Sequence, residues 1–255
     1  MDFAANGLPL SRDGVALATG QLGVDAAILW AVIRVETRAV GFLRDRRPQI
    51  LFERHVFHNE TAGAFDPVAP DISSPTSGGY GASGSHQYSR LAEAIALARS
   101  AALRSASWGL GQVMGFHAET LRYADVESMV REMVESEDAQ LDAMVRFVSS
   151  TGLDTALRRR DWTAFARGYN GAGFARNHYD EKLAREYEAL TVHGLPDLRA
   201  RAAQVHLMYR GLDPGPIDGV KGDLTRKAVE RFQGNEGLPV TGEIDADTFS
   251  RLTQP

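Results

Sequence analysis

Residues Asp25 to Glu36, DAAILWAVIRVE, constrain the fold more than any other stretch of the chain. Apolar side chains at 26–33 and 35 leave Arg34 as the single polar position before Glu36. A helix that is apolar nearly all round is a buried helix, so the rest of the chain must wrap around it. Asp25 is placed to cap its N-terminus. Glu36 then falls at its C-terminal end, followed by Thr37, Arg38 and, soon after, Gly41. Partial desolvation and the negative end of the helix dipole both raise a carboxyl pKa there. Glu36 is therefore a candidate for an acid still protonated near neutrality, the form a general acid needs. An isolated glutamate at a helix end more often pairs with an arginine, so this reading depends on motifs further along.

Composition narrows the alternatives. The formal charge of −5 and the lack of basic runs beyond Arg158, Arg159 and Arg160 argue against a nucleic-acid partner. That triplet reads as a solvated helix end. With no cysteine, thiolate metal sites and cysteine nucleophiles are excluded. The seven histidines show no HExxH or His-x-x-x-His spacing, so neither zinc nor any other metal is expected, and no cofactor. No apolar run reaches the ~18 residues of a membrane span, and no membrane partner is expected. The first twenty residues lack a basic region followed by a continuous apolar core, so no classical signal peptide is expected.

Taken in order, residues 1 to about 20 read as a loosely packed lead-in with a short helix from near Ser11, its apolar side drawn from Val15, Leu17 and Ala18. After the buried helix, GFLRDRRPQILFERHVFHN predicts a short extended segment or irregular hairpin with Glu53 and His55 facing one way. DPVAPDISSPTSGGYGASGSHQYS (66–89) reads as a surface loop folded against the domain, because Tyr80 and Tyr88 are embedded in it. Helical spacing returns over 88–103. SASWGLGQVMGFH (105–117) reads as a tight turn leading into a short helix. One long amphipathic helix is predicted over 126–149, then 162–169, the turn Asn170-Gly171-Ala172-Gly173, and a last helix to about Leu190. Gly194 and Pro196 mark a boundary, beyond which helices over 198–209, 224–234 and 246–252 form a small module. The expected fold class is all-α with a small β segment, divided into domains 1–193 and 197–255.

The C-terminal part resembles the peptidoglycan-binding domain of bacterial and phage cell-wall enzymes. The resemblance is carried by DPGPIDG (213–219), Gly222, Thr225, Ala228-Val229, Phe232-Gln233 and GLPVTGEID (237–245). Val229 and Phe232 are read as core, and the glycines and prolines as turn residues. The N-terminal part resembles the N-acetylmuramidase family found in phage endolysins. Four blocks carry this: VETRAVGFLRDRRPQILFERHVF (35–57), GGYG with QYSRLAEA (78–94), ASWGLGQVMGFH (106–117) and FARGYNGAGFARNHYDEKLA (165–184). Thr37-Arg38-Ala39-Val40 departs from the small residues and glycine usual after the family's glutamate.

The resemblance implies a lysozyme-like fold with the general acid at the end of a central buried helix, where Glu36 falls. It also implies a cleft lined by the Gly-Leu-x-Gln segment ending at Gln112 and closed by the Tyr169-Asn170-Gly171 segment. Glycosidic cleavage usually needs a second carboxylate. Glu53 is the best candidate, Asp45 a weaker one, and a buried salt bridge from Glu53 to Arg54 or Arg47 the structural alternative. His55 is read as a structural partner and Trp108 as core. Amides at Gln112 and Asn170 suit sugar N-acetyl and hydroxyl groups, and Tyr169 and Tyr80 are placed as saccharide contacts.

The function this implies is hydrolysis of the β-1,4 bond between N-acetylmuramic acid and N-acetylglucosamine in bacterial peptidoglycan, lysing the cell. A lytic transglycosylase giving 1,6-anhydro products is the alternative, and a wall-binding protein without turnover a third reading from another class. A peptidase or amidase is disfavoured for want of zinc or cysteine patterns. Peptidoglycan is the expected partner and a monomer the expected state. The expected location is the bacterial cytoplasm, with action on the wall after membrane permeabilisation. Tethering to the wall by the second domain predicts that residues 1–195 keep the chemistry and bind the wall more weakly.

Overall fold

The computed structural model describes residues 3–37 and 40–254, with the side chains of Ala172 and Arg176 set aside. The buried run forms α2 (Ala26–Thr37), in which Ile28 through Ile33 are all buried, Leu29 and Ile33 completely. Asp25 Oδ1 accepts from the Ile28 amide at 2.9 Å, the cap expected of it. Around α2 lie α1 (Arg12–Leu22), α6 (Glu137–Ser150) and α9 (Tyr179–His193), with α9 packed along α2 and α1 packed on α6.

A three-stranded antiparallel sheet flanks this bundle in the order β1 (Ile50–Phe52), β2 (Ala106–Trp108), β3 (Val113–Met114). Ile50 pairs with Trp108, and Trp108 with Val113. The remaining helices of this body are α3 (Arg54–Glu60), α4 (Ser85–Arg104), α5 (Val126–Met133), α7 (Asp154–Arg159) and α8 (Trp162–Asn170), with 3-10 turns at Gly115–His117 and Gly171–Asn177. The chain is thus mainly helical with a small sheet, as its sequence predicts.

Local structure departs from the sequence expectations at several points. The N-terminal stretch is not loose: Ser11 caps α1, and Val15, Ala18 and Leu22 are buried at helical spacing. Leu17 is instead 59% exposed, because it falls on the opposite side of that helix. The extended segment ends at Phe52, and Arg54 onward is helix, so Glu53 occupies the N-cap position of α3. Residues 113–114 pair as a strand rather than opening a helix.

The predicted 126–149 helix is two helices. The backbone of Leu8 inserts between them, its amide donating to Glu135 O and its carbonyl accepting from the Glu137 amide, both at 2.9 Å. Ser136 then caps α6 by accepting from the Ala139 amide. The apolar spacing runs through the break, which is set by the backbone of a residue more than a hundred positions away. The 66–89 loop does fold against the body. Phe65 packs on Phe57 with ring centroids 5.9 Å apart, Ile72 and Ser73 are buried, and Asp66 holds both His58 and Ser73.

Residues beyond Pro196 form α10 (Leu198–Tyr209), α11 (Asp223–Asn235) and α12 (Ala246–Thr253) around a separate core containing Ala203, Leu207, Val229, Phe232 and Leu252. Two buried glutamines brace its turns. Gln204 donates to Val220 O and Thr225 Oγ1 and accepts from the Gly219 amide. Gln233 does the same for the second turn, through Thr241, Gly242, Glu243 and Thr248. The Phe232-Gln233 pair is therefore scaffold. Helix α10 also lies against the larger body, where Tyr209 donates to Gly7 O at 2.7 Å and the Arg46 guanidinium lies 5.0 Å from the Tyr209 ring centre.

Candidate active site

Glu36 is on the last turn of α2, half-buried, and no arginine pairs with it among the described residues. Its one polar contact is weak: Asn170 Nδ2 donates to Oε1 at 3.4 Å. Burial therefore dominates and raises the carboxyl from 4.5 to about 7, with the Asn170 amide opposing the rise only slightly. The residue as a whole is only half-buried, but protein surrounds the carboxyl closely enough to disfavour its charge. At neutral pH roughly half of such groups carry a proton.

The surroundings of Glu36 are rigid. Thr37 Oγ1 donates to Leu110 O at 3.1 Å, tying the end of α2 to the 109–112 turn between β2 and β3. That turn needs Gly109, whose φ is +65° and whose Cβ position is filled by the Gln140 side chain. Tyr169, from α8, donates its hydroxyl to Gly111 O at 2.6 Å and stacks on Phe165. Burial pushes the Tyr169 hydroxyl pKa up, and the nearby Glu36 charge adds to that. Tyr179 is raised by the same two causes, which places it near Glu36 as well. It lies inside the Phe165–Ala184 block, but nothing about its type or spacing singled it out.

Glu53 lies at the start of α3 with its side chain 16% exposed. Burial raises its pKa, while His55 and Tyr80 face the carboxyl and favour the ionised form. Glu53 Oε2 and His55 Nδ1 are 3.2 Å apart but poorly aligned, and neither atom has a hydrogen-bond partner in this structure, so their attraction is mainly electrostatic. The pairing to Arg54 or Arg47 considered as the structural alternative is not formed. Arg54 donates to Thr76 O, and Arg47 pairs with Asp45. Asp45 is exposed; burial pushes its pKa up, but the Arg47 guanidinium outweighs this and holds it below the ordinary value.

The residues singled out as sugar contacts divide. Asn170 faces Glu36, and Tyr80 faces Glu53. Gln112 is half-buried with internal partners: its amide hydrogens go to Gln49 O and Gly109 O, and its oxygen accepts from Ser107. With φ at +48° it is a brace of the β2–β3 turn, not a free amide. Tyr169 likewise has its hydroxyl proton committed to Gly111 O. Trp108 is core, fully buried with its indole N–H on Leu103 O.

A mainly helical body with a small three-stranded sheet around a central buried helix is a lysozyme-like fold. Comparison with known proteins narrows this. The N-acetylmuramidase profile matches residues 25–191, and a peptidoglycan-binding domain profile matches residues 198–252. The chain belongs to the N-acetylmuramidase family. The crystal structure of a Burkholderia AP3 phage endolysin is similar at 40% identity and a TM-score of 0.67, covering 72% of this chain and 71% of that one. Among curated proteins, the localization factor PodJL of two Caulobacter vibrioides strains is 43% identical over 51 residues. That match spans 20% of this chain and only 5% of the relative's length.

Proposed function

We propose that the protein hydrolyses the β-1,4 bond between N-acetylmuramic acid and N-acetylglucosamine in peptidoglycan, with Glu36 as general acid. The observation that carries this is the Glu36 carboxyl, raised to about 7 by burial at the end of α2 in a muramidase-family body. A group with that pKa holds its proton near neutrality and releases it readily to a leaving oxygen. Asn170 orients the carboxyl, while Thr37 and Tyr169 hold the walls around it. Glu53, whose carboxyl His55 and Tyr80 face, is the second group that stabilises the oxocarbenium or activates water. The peptidoglycan-binding match supports the wall polymer as substrate, and the endolysin likeness supports action on the wall from a bacterial cytoplasm once the membrane is breached.

A second reading is supported by one observation. Burial is what raises Glu36, so this acid holds its proton without a second carboxylate among the causes. That suits a lytic transglycosylase, in which one glutamate serves and the muramic 6-hydroxyl attacks intramolecularly. Mass spectrometry of fragments released from purified peptidoglycan separates the two, with Glu36→Gln as the blank. Reducing-end N-acetylmuramic acid products that vanish in the variant support the muramidase. Anhydro-muramic products move the assignment to the transglycosylase, and no fragments at all leave a wall-binding protein.

A further inference from the structure

Glu137 opens α6 with a wholly buried side chain. Its Oε1 accepts from the Gly41 amide at 2.8 Å and its Oε2 from the Leu10 amide at 2.7 Å. Arg201 holds both oxygens at once, Nη1 to Oε2 at 2.6 Å and Nη2 to Oε1 at 2.8 Å. Arg201 is itself fully buried and belongs to α10, the first helix of the C-terminal module, yet it lies 5.6 Å from the ring centre of Trp30 in α2. Burying both charges is costly, so this fork-to-fork pair needs every partner it has.

The partners lead to the cleft. Gly41 follows Val40, whose amide donates to Thr37 O beside Glu36, and a Cβ on Gly41 would run into Gln140 Oε1. Gln140, one turn along α6 from Glu137, accepts from the Leu110 amide at 2.8 Å and donates to Met133 O at 2.9 Å. Leu110 is the residue whose carbonyl receives Thr37. Gly41 and Leu110, on the two segments bordering Glu36, are thus both registered by the first turn of α6.

We propose that Arg201 is a positioning residue for the cleft, acting through Glu137 on Gly41 and the segment leading from Glu36, so that the C-terminal module completes the site it is joined to. This rests on the reading of Glu36 as the acid. Misplacing a general acid by a fraction of an ångström lowers the chemical step with little effect on substrate binding.

The test uses the full chain and soluble glycan fragments free of stem peptides, so that wall binding does not enter. Arg201→Met with Glu137→Gln removes both buried charges while leaving an amide oxygen for Gly41. The double variant is expected to fold, to lose about tenfold in kcat with KM within about twofold, and to exchange the Gly41 amide faster. Tyr209→Phe, which breaks only the Gly7 contact between the same two regions, keeps kcat. Arg201→Lys keeps the charge but cannot span both oxygens, and is expected to fall between. A folded double variant with unaltered kcat overturns the proposal. Should the double variant fail to fold, Arg201→Lys with unaltered kcat and unaltered Gly41 exchange overturns it equally. Absence of cleavage by the unaltered protein strikes the hydrolase reading itself, a different failure.

Discussion

Two glutamates at helix ends, Glu36 closing α2 and Glu137 opening α6, show how burial alone does not decide what a carboxyl becomes. Glu137, at the start of α6, is saturated: two backbone amides and a bidentate arginine occupy its oxygens. Glu36, at the end of α2, has one long contact from a neutral amide and no cation among the described residues. The first is a structural knot joining three distant parts of the chain. The second is left short of donors, so desolvation prevails and its proton stays on to about pH 7. Helix polarity adds to the contrast, since an N-terminus favours a carboxylate and a C-terminus opposes one.

The sharpest way to break this comparison is to neutralise each member. Glu36→Gln should lower turnover of peptidoglycan by about 10³-fold or more with the fold intact, read as fragment release against a melting curve. Removing the partner of the other carboxyl should instead damage the fold. A chain ending at residue 195 takes from Glu137 both its arginine partner and the helix that carries it, a loss of about 3–5 kcal/mol and a melting temperature lower by roughly 10 °C. Calorimetry of the truncated chain checks this, and its fragment release and wall binding check the expectation that residues 1–195 keep the chemistry and bind the wall more weakly.

Glu53 sits between the two extremes, and Glu53→Gln should reduce kcat by about 10²-fold if it serves as the second group. An unaltered rate would assign it to bracing α3 and favour the transglycosylase. A fourth prediction reads Glu36 through stability. Its folded pKa lies above the unfolded 4.5, so the folded state binds more protons between about 4.5 and 7, and stability declines as pH rises through that window. Glu36→Gln removes the decline. At pH 8 the variant should be more stable than the parent by on the order of 2 kcal/mol, with the gap closing at pH 4. The smallest effect is that of Asn170→Ala. The Asn170 amide lowers the Glu36 pKa, so its loss should move the alkaline limb of kcat upward by a fraction of a unit.

Much of this molecule was legible before its structure. The buried helix, its Asp25 cap and the exposed position of Arg158 to Arg160 follow from local patterns, as does the second core built on Val229 and Phe232. Glu36 was legible because the helix that carries it is so apolar that its end has to border the interior. The segment Thr37-Arg38-Ala39-Val40, which departs from the family pattern, falls partly outside the described residues, at 38 and 39.

What stayed hidden has a common physical cause: each feature depends on partners far apart in the chain. Leu8 splits a helix that is amphipathic throughout, because its backbone groups pair with Glu135 and Glu137. Gln112 looks like a ligand amide until Gln49, Gly109 and Ser107 are seen to use it. Side-chain chemistry and helical period are written residue by residue, so they settle which segments are buried and which carboxyl lies at the end of a buried helix. Whether Glu137 meets Arg201, and whether the C-terminal module is cargo or part of the site, depends on contacts between surfaces that form only when the whole chain has folded.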